Sequence, residues 1–196
     1  MIKFQTLPRV ALLVLGLVLV IQVGFILSQK PWSPTPHTSW RNYPQTITAA
    51  KDIADLVVLG KVTKIQRGDD HIVKLSNGSE DRVEVEIITV QIEKTYKGEK
   101  QDQVDVFREP NVTKENPQYK NGERYLLFLE KPDPVWYWYI KGKPVEAWNT
   151  VGPQGQNLIM KDNKIKTSAN RDSSGQFSQF EGKLLSEFES EIEKTK

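Results

Sequence analysis

The chain has 196 residues, enough for a single domain plus an anchor, and its 27 Lys and Arg nearly balance its 25 Asp and Glu. Neither sign of charge forms a long block, which excludes the charge footprint of a nucleic-acid-binding protein. The chain contains no cysteine. Disulfides, thiolate zinc sites, thiol nucleophiles and a lipidated cysteine are therefore excluded. An exported domain without disulfides favours a bacterial cell-envelope protein over a eukaryotic secreted one.

The first predicted element is an uncharged apolar run over residues 10–27, in which Gln22 is the only polar residue. A helix of that length spans roughly 27 Å, close to the thickness of a bilayer core. Residues 1–29 are therefore predicted to form one N-terminal transmembrane helix, a signal-anchor. The alternative is a cleaved signal peptide, although the run is longer than usual and lacks an Ala-x-Ala site. Both interpretations place the rest of the chain on the extracytoplasmic side of the cell membrane.

Residues 30–45 are predicted to be a stalk. They contain four prolines and no apolar periodicity, a pattern typical of extended polyproline II chain. Trp32 beside the spanning helix is typical of a side chain in the headgroup layer. The folded domain is then expected over residues 46–196.

That domain begins with a predicted short helix at 46–55, in which Ile47 and Ile53 would face the core and Thr46 or Thr48 would cap the N-terminus. A β-branched strand is predicted directly afterwards, at 56–65. Gly60 lies inside this strand, where a bulge would let it curve around a barrel.

A polar connection at 66–81 holds the turn signal Asn77-Gly78 and leads to a long predicted strand at 82–96, which is expected to pair with the first strand. The apolar phase reverses between Ile87 and Ile88. This reversal predicts a strand that bends and presents a different face to the core in each half.

Further short strands are predicted, followed by an amphipathic helix over 177–192 that Gly182 weakens. The strands are predicted at 103–108, 122–130, 135–140, 145–150, 157–160 and 164–167. Their spacing is consistent with a meander that closes, or nearly closes, into a small barrel. The predicted fold is mainly β: an OB-like barrel with a C-terminal helix.

Three stretches carry a resemblance: residues 54–62 (ADLVVLGKV), 93–98 (EKTYKG) and 121–129 (NGERYLLFL). They resemble those of bacterial envelope proteins whose domain is OB-fold-like and similar in fold to tissue inhibitors of metalloproteinases. The resemblance covers roughly residues 46–167 and implies an OB-like barrel with a flanking helix, a fold that mostly binds other molecules. Inhibitor activity is not implied, because that family chelates zinc through an N-terminal cysteine.

The sequence offers little chemistry for catalysis. A catalytic zinc needs several His, Glu or Cys ligands, whereas the chain has only His37 in the stalk and His71 in a predicted hairpin loop. Asp69 and Asp70 could hold a cation with His71, but acidic residues beside a glycine are typical turn formers. Neither a Gly-x-Ser-x-Gly nor a Ser-x-x-Lys motif occurs. The chain is expected to be neither an enzyme nor a holder of a cofactor or metal.

The most informative pattern is Trp136, Tyr137, Trp138 and Tyr139 on one predicted strand, because alternation places the two Trp on one face and the two Tyr on the other. In the core interpretation one pair fills the barrel and the C-terminal helix covers the other. In the binding interpretation one pair stays exposed, with Trp148, as a platform for a glycan, a peptide or a partner subunit. These five aromatic residues form the predicted binding site.

Two functions follow from these expectations. The first is a membrane-anchored extracytoplasmic binding or accessory module, for example a subunit of a membrane protein complex. Its expected partners are the membrane and either a protein or an envelope glycan, and nucleic acid is not expected. The second is a cryptic enzyme that acts on cell-envelope polymers through carboxylates. Converging carboxylates in a deep pocket would be its first sign.

Overall fold

The computed structural model describes residues 44–110, 118–131, 138–167 and 176–194. All of them lie in the second of the two units into which the chain divides, Ser39–Lys196. The predicted transmembrane run and most of the stalk lie outside the described residues. Within the described ranges, no helix is long and apolar enough to span a membrane.

The described part of the chain is mainly β, with two short α-helices. The helices are α1 (Ile47–Ile53) and α2 (Leu185–Lys194), and 3-10 turns occur at Pro153–Gly155 and Gln176–Phe180. The strands are β1 (Leu56–Arg67), β2 (His71–Lys74), β3 (Glu80–Val83), β4 (Glu86–Lys97), β5 (Gln103–Arg108), β6 (Arg124–Glu130), β7 (Trp138–Ile140), β8 (Lys143–Val145), β9 (Asn149–Thr150), β10 (Gln156–Ile159) and β11 (Ile165–Thr167).

Helix α1 forms where the sequence predicts it. The Thr46 side chain accepts a hydrogen bond from the Ala49 N–H at 3.0 Å, which satisfies one of the free donors at the helix start. At the other end, the Lys97 ammonium donates to the Lys51 carbonyl. Ile47 is fully buried, as expected.

The main sheet has the order β11-β10-β6-β1-β4-β5, with β9 also paired to β6, and all of its strand pairs are antiparallel. The predicted pairing of the first strand with the long strand at 82–96 is confirmed by the β1–β4 register. That register shifts at Gly60, where a Cβ would lie 2.5 Å from a Val90 methyl group. The bulge predicted at Gly60 is therefore confirmed.

The strand order is not a simple meander, and of the two predicted forms, a sheet that closes or one that nearly closes, the closed barrel is wrong for the described residues. β1 pairs with β4, and β4 pairs with β5. β6 pairs with the other edge of β1, and its second neighbour is β10 instead of β5. Within the described ranges, the outer edge of β5 is joined at one point only, a parallel bridge between Val106 and Trp148. The sheet therefore curves and stays open between β5 and β6.

Both faces of the central strands are buried. The helix-side core packs α1, α2 and the second 3-10 turn against one face of β1 and β6. The inner core lies on the opposite face, and the hairpin core lies under β7 and β8. The inner core is Leu56, Val58, Val62, Ile88, Val90, Val104, Val106, Tyr119, Tyr125, Leu127 and Leu129. The hairpin core is Val85, Ile87, Trp138 and Ala147, with Phe107, Ile140 and Val145 packed against it.

The phase reversal between Ile87 and Ile88 has the predicted meaning. Ile87 belongs to the hairpin core and Ile88 to the inner core, so adjacent residues of β4 are buried on opposite faces. The strand boundaries differ from the prediction. The connection at 66–81 contains β2 and leads into β3, and residues 84–85 separate β3 from β4. The turn at Asn77-Gly78 lies between β2 and β3.

The C-terminal helix starts later than predicted. Gly182 has a φ of +75°, a left-handed conformation that ends the 3-10 turn before α2 begins at Leu185. Phe177 and Phe188 are both fully buried in the helix-side core. The apolar periodicity therefore marks buried residues correctly except at Leu184, which is 46% exposed, and it spans two elements.

A polar network attaches α2 to β4. Glu189 accepts hydrogen bonds from the Tyr96 hydroxyl and, at 3.0 Å, from the Lys94 ammonium. Burial opposes ionisation of Glu189, but these two donors outweigh it and hold its pKa below the ordinary glutamate value. Burial, reinforced by the Glu189 carboxylate, raises the pKa of Tyr96. The network stays charged at neutral pH and fixes the helix on the sheet.

Candidate functional site

A cleft of about 530 Å³ opens where the outer edge of β5 faces the start of β1 and the end of β6. Its lining comes from four stretches of the chain: residues 55–56, 98–105, 131 and 146–148. The cleft lies at the gap that keeps the sheet from closing. Its volume falls in the range typical of ligand pockets.

Trp148 borders the cleft and fixes its position. The Trp148 N–H donates to the Asp105 carbonyl at 2.8 Å, and the Trp148 carbonyl accepts from the Phe107 N–H at 2.8 Å. The main chain of Trp148 thereby acts as a short strand beside β5. Its side chain is half-buried and packs against the inner core. One of the five predicted binding residues therefore lies in the cleft wall.

Two carboxylates of the lining are held by the fold. Asp55 accepts a hydrogen bond from the Lys131 N–H at 2.7 Å. Asp105 accepts from the Thr89 hydroxyl at 2.7 Å. These bonds tie the start of β1 to the end of β6, and β5 to β4. Both carboxylates keep lone pairs for a further donor, since a carboxylate can accept about four hydrogen bonds.

Two other carboxylates face solvent. Glu99 and Glu146 are exposed, and no described residue forms a hydrogen bond or an ion pair with either carboxylate. Gln101 and Gln103 also belong to the lining. Among the described residues, Lys131 supplies the single positive charge of the lining, against Asp55, Glu99, Asp105 and Glu146, in a chain whose formal net charge is +2.

Gly98 shapes the wall between β4 and Glu99. Its φ is +91°, and an added Cβ would lie 2.5 Å from the Asp55 carbonyl oxygen. Real Cβ atoms do not approach a carbonyl so closely, and L-residues rarely adopt this φ. A glycine is therefore required here to bring the turn after β4 against the start of β1.

Of the aromatic strand, the structure describes Trp138 and Tyr139, and these two differ in burial as alternation predicts. Trp138 is buried and stacks on Phe107, with ring centroids 3.6 Å apart and an interplanar angle of 2°. Tyr139 on the other face is 44% exposed. Trp136 and Tyr137 lie outside the described residues. The core interpretation is wrong for these two residues, because Trp138 lies in the hairpin core instead of the inner core and the exposed Tyr139 does not belong to the helix-side core that contains α2.

The acidic turn at 69–70 is engaged within the fold. Asp69 accepts hydrogen bonds from the Lys141 N–H at 3.0 Å and the Gly142 N–H at 2.7 Å, so it caps the turn between β7 and β8. Asp70 forms an ion pair with Arg67 at 3.0 Å. This arrangement agrees with the turn-forming interpretation. His71 lies in β2 instead of a loop. Among the described residues, no group of three His, Cys, Asp or Glu could hold a metal ion.

Sequence reasoning found Trp148 but missed the rest of the cleft. Glu99, Gln101, Gln103 and Glu146 are ordinary surface residues in the sequence, and only the fold brings their segments together. The available signal was indirect: the strand predicted at 82–96 ends shortly before Glu99, so Glu99 was expected beside a strand end. Chemically, the cleft combines acceptors, amides and an indole, which suits polar or cationic groups.

Comparison of the chain with protein-family models, curated proteins and solved structures finds no match.

Proposed function

We propose that the chain is a membrane-anchored binding or accessory module whose β-rich domain lies outside the cytoplasm and holds a partner in the cleft beside β5. The observation that carries the proposal is the cleft itself, a space of about 530 Å³ at the gap in the sheet. The uncharged run at 10–27 supports the anchor. A tethered domain with one lined cleft suits a protein that keeps a partner at the membrane surface.

The proposed fold type is OB-like, although the sheet is open. Three observations support it: the β1–β4 register shifts at Gly60, β1, β4, β5 and β6 share the inner core, and Trp148 links β5 to the segment that continues into β9. OB-folds typically bind their ligands on one strand face and the adjoining loops.

Binding is favoured over catalysis by the state of the carboxylates. Asp55 and Asp105 already hold parts of the fold together, and Glu99 and Glu146 are exposed to water. Catalytic acids and bases typically lie in sites that exclude water. The cleft nevertheless brings four carboxylates to one surface, and this favours a carboxylate enzyme acting on envelope polymers as the second candidate.

The two candidate functions predict different effects of replacing Glu99 and Glu146. For an enzyme, replacing either with glutamine abolishes polymer turnover and leaves partner capture intact. For a binding module, the same changes weaken capture, and no turnover is present to lose.

The direct test uses a photoreactive phenylalanine analogue in place of Gln101, at the cleft, or Asn77, at the tip of the β2–β3 hairpin, in the full chain in its native membrane. Both sites are polar and away from the three cores. The proposal expects a dominant crosslinked partner from position 101 only. Equal adducts from both positions, or none from 101, would count against a binding cleft.

A further inference from the structure

The outer edge of β5 is incompletely paired. Among the described strands, β5 ends the strand order, and the main chain of Trp148 forms hydrogen bonds to it at Asp105 and Phe107. Alternate residues of a strand direct their main-chain groups to the same side, so Gln103 presents its N–H and C=O to the same outer edge. In the described part of the chain, no strand or bridge pairs with this edge at Gln103. Gln103 lies in the lining of the cleft.

An unpaired strand edge is a template for another strand, and proteins usually cover or charge such edges. Here the edge is recessed, because the cleft separates it from the ends of β1 and β6. An added strand needs about 4.8 Å beside its neighbour and about 3.3 Å per residue along it. The cleft volume of about 530 Å³ provides room for a few residues of extended chain.

The charge of the walls selects the kind of strand that fits. In the described lining, four acidic residues, Asp55, Glu99, Asp105 and Glu146, stand against one basic residue, Lys131. Glu99 and Glu146 are exposed and carry no partner among the described residues, so they are available to ammonium or guanidinium groups.

We propose that an extended, cationic peptide segment of a partner protein adds as a strand to the outer edge of β5 at Gln103 and directs its Lys or Arg side chains to Glu99 and Glu146. The inference rests on the proposed function, since it names the partner class for the same cleft. Main-chain hydrogen bonds supply affinity in this mode of recognition, and the side-chain pockets supply specificity.

The test measures binding of three hexapeptide pools to the full chain in nanodiscs: alternating lysine with random residues, and the same design with glutamate or serine. The lysine pool is expected to bind at least about tenfold more tightly than the glutamate pool, since opposite charges across an interface favour encounter and like charges oppose it. Methylating the main-chain nitrogens along one side of a lysine peptide removes the donors of one strand edge, so it should weaken binding by a similar factor.

Matched variants locate the contact. Glu99→Gln with Glu146→Gln is expected to weaken the lysine pool about tenfold. Asp52→Asn with Glu80→Gln removes two exposed carboxylates outside the cleft and is expected to change binding less than about twofold. Thermal melting of each variant checks that the fold is intact.

Several outcomes overturn the inference. If the lysine pool binds most tightly but main-chain methylation does not weaken binding, strand addition is rejected. If a chitin hexasaccharide binds more tightly than any peptide pool, the cleft is assigned to a glycan. If no pool binds while a partner still crosslinks from position 101 in membranes, the peptide inference fails and the proposed function stands. Loss of both signals rejects both.

Discussion

Replacing Trp138 with alanine should strongly destabilise the domain. The side chain is 8% exposed, stacks on Phe107 and meets the His71 ring edge-on at 5.9 Å. Truncating a buried Trp typically costs about 3–5 kcal/mol, a large part of the roughly 5–15 kcal/mol that stabilises a domain. With a denaturant slope of about 2 kcal/mol per molar urea, the midpoint should fall by about 2 M. Urea titration of a fragment beginning at Pro44, followed by circular dichroism, measures this shift.

Two variants make the argument specific. Trp138→Phe keeps a ring against Phe107 and removes an indole N–H that has no hydrogen-bond partner among the described residues, so it should cost less than half as much as alanine. Tyr139→Ala, on the 44% exposed face, should cost less than about 1 kcal/mol. Equal losses at Trp138→Ala and Tyr139→Ala would refute the division of this strand into a buried and an exposed face.

Three further predictions concern the turn, the helix network and the anchor. Gly98→Ala should destabilise the fragment by about 1–3 kcal/mol. Gly78→Ala should destabilise it less, because the φ of Gly78 is also positive but an added Cβ there meets nothing within 4 Å. Similar melting temperatures for the two variants would contradict this. Because the folded pKa of Glu189 is depressed, its contribution to stability is present above the unfolded pKa and is lost as pH falls through the folded value. Wild type should therefore lose more stability than Glu189→Gln between about pH 6 and about pH 3, and parallel pH profiles would refute it. The full chain should resist carbonate extraction and the fragment should not, and release of the full chain would exclude a membrane-spanning run at 10–27.

Structural features that depend on a few neighbouring residues could be predicted from the sequence. The Thr46 cap, the bulge at Gly60 and the phase reversal between Ile87 and Ile88 each depend on a few neighbouring residues. Burial on both faces also explains why β1 and β6 read as continuous apolar runs, since each contributes to the helix-side core and the inner core.

The strand order and the cleft could not be predicted from the sequence, because they depend on pairings between distant segments. No local pattern in β6 or β10 predicts that β6 pairs with β1 or that β10 pairs with β6. The bridge between Trp148 and Val106 likewise depends on how the distant segment 146–150 packs beside β5. Without that arrangement Glu99 and Glu146 are only two exposed acids in a chain with 25 Asp and Glu.

Partner capture from native membranes tests the central claim most directly. The full chain, the variant Glu99→Gln with Glu146→Gln, and the control Asp52→Asn with Glu80→Gln are purified under the same conditions, and the amount of co-purified partner per chain is compared. A binding cleft beside β5 predicts loss of the partner only in the cleft variant, with unchanged melting temperatures in all three. Equal recovery from the cleft variant and the control would contradict it.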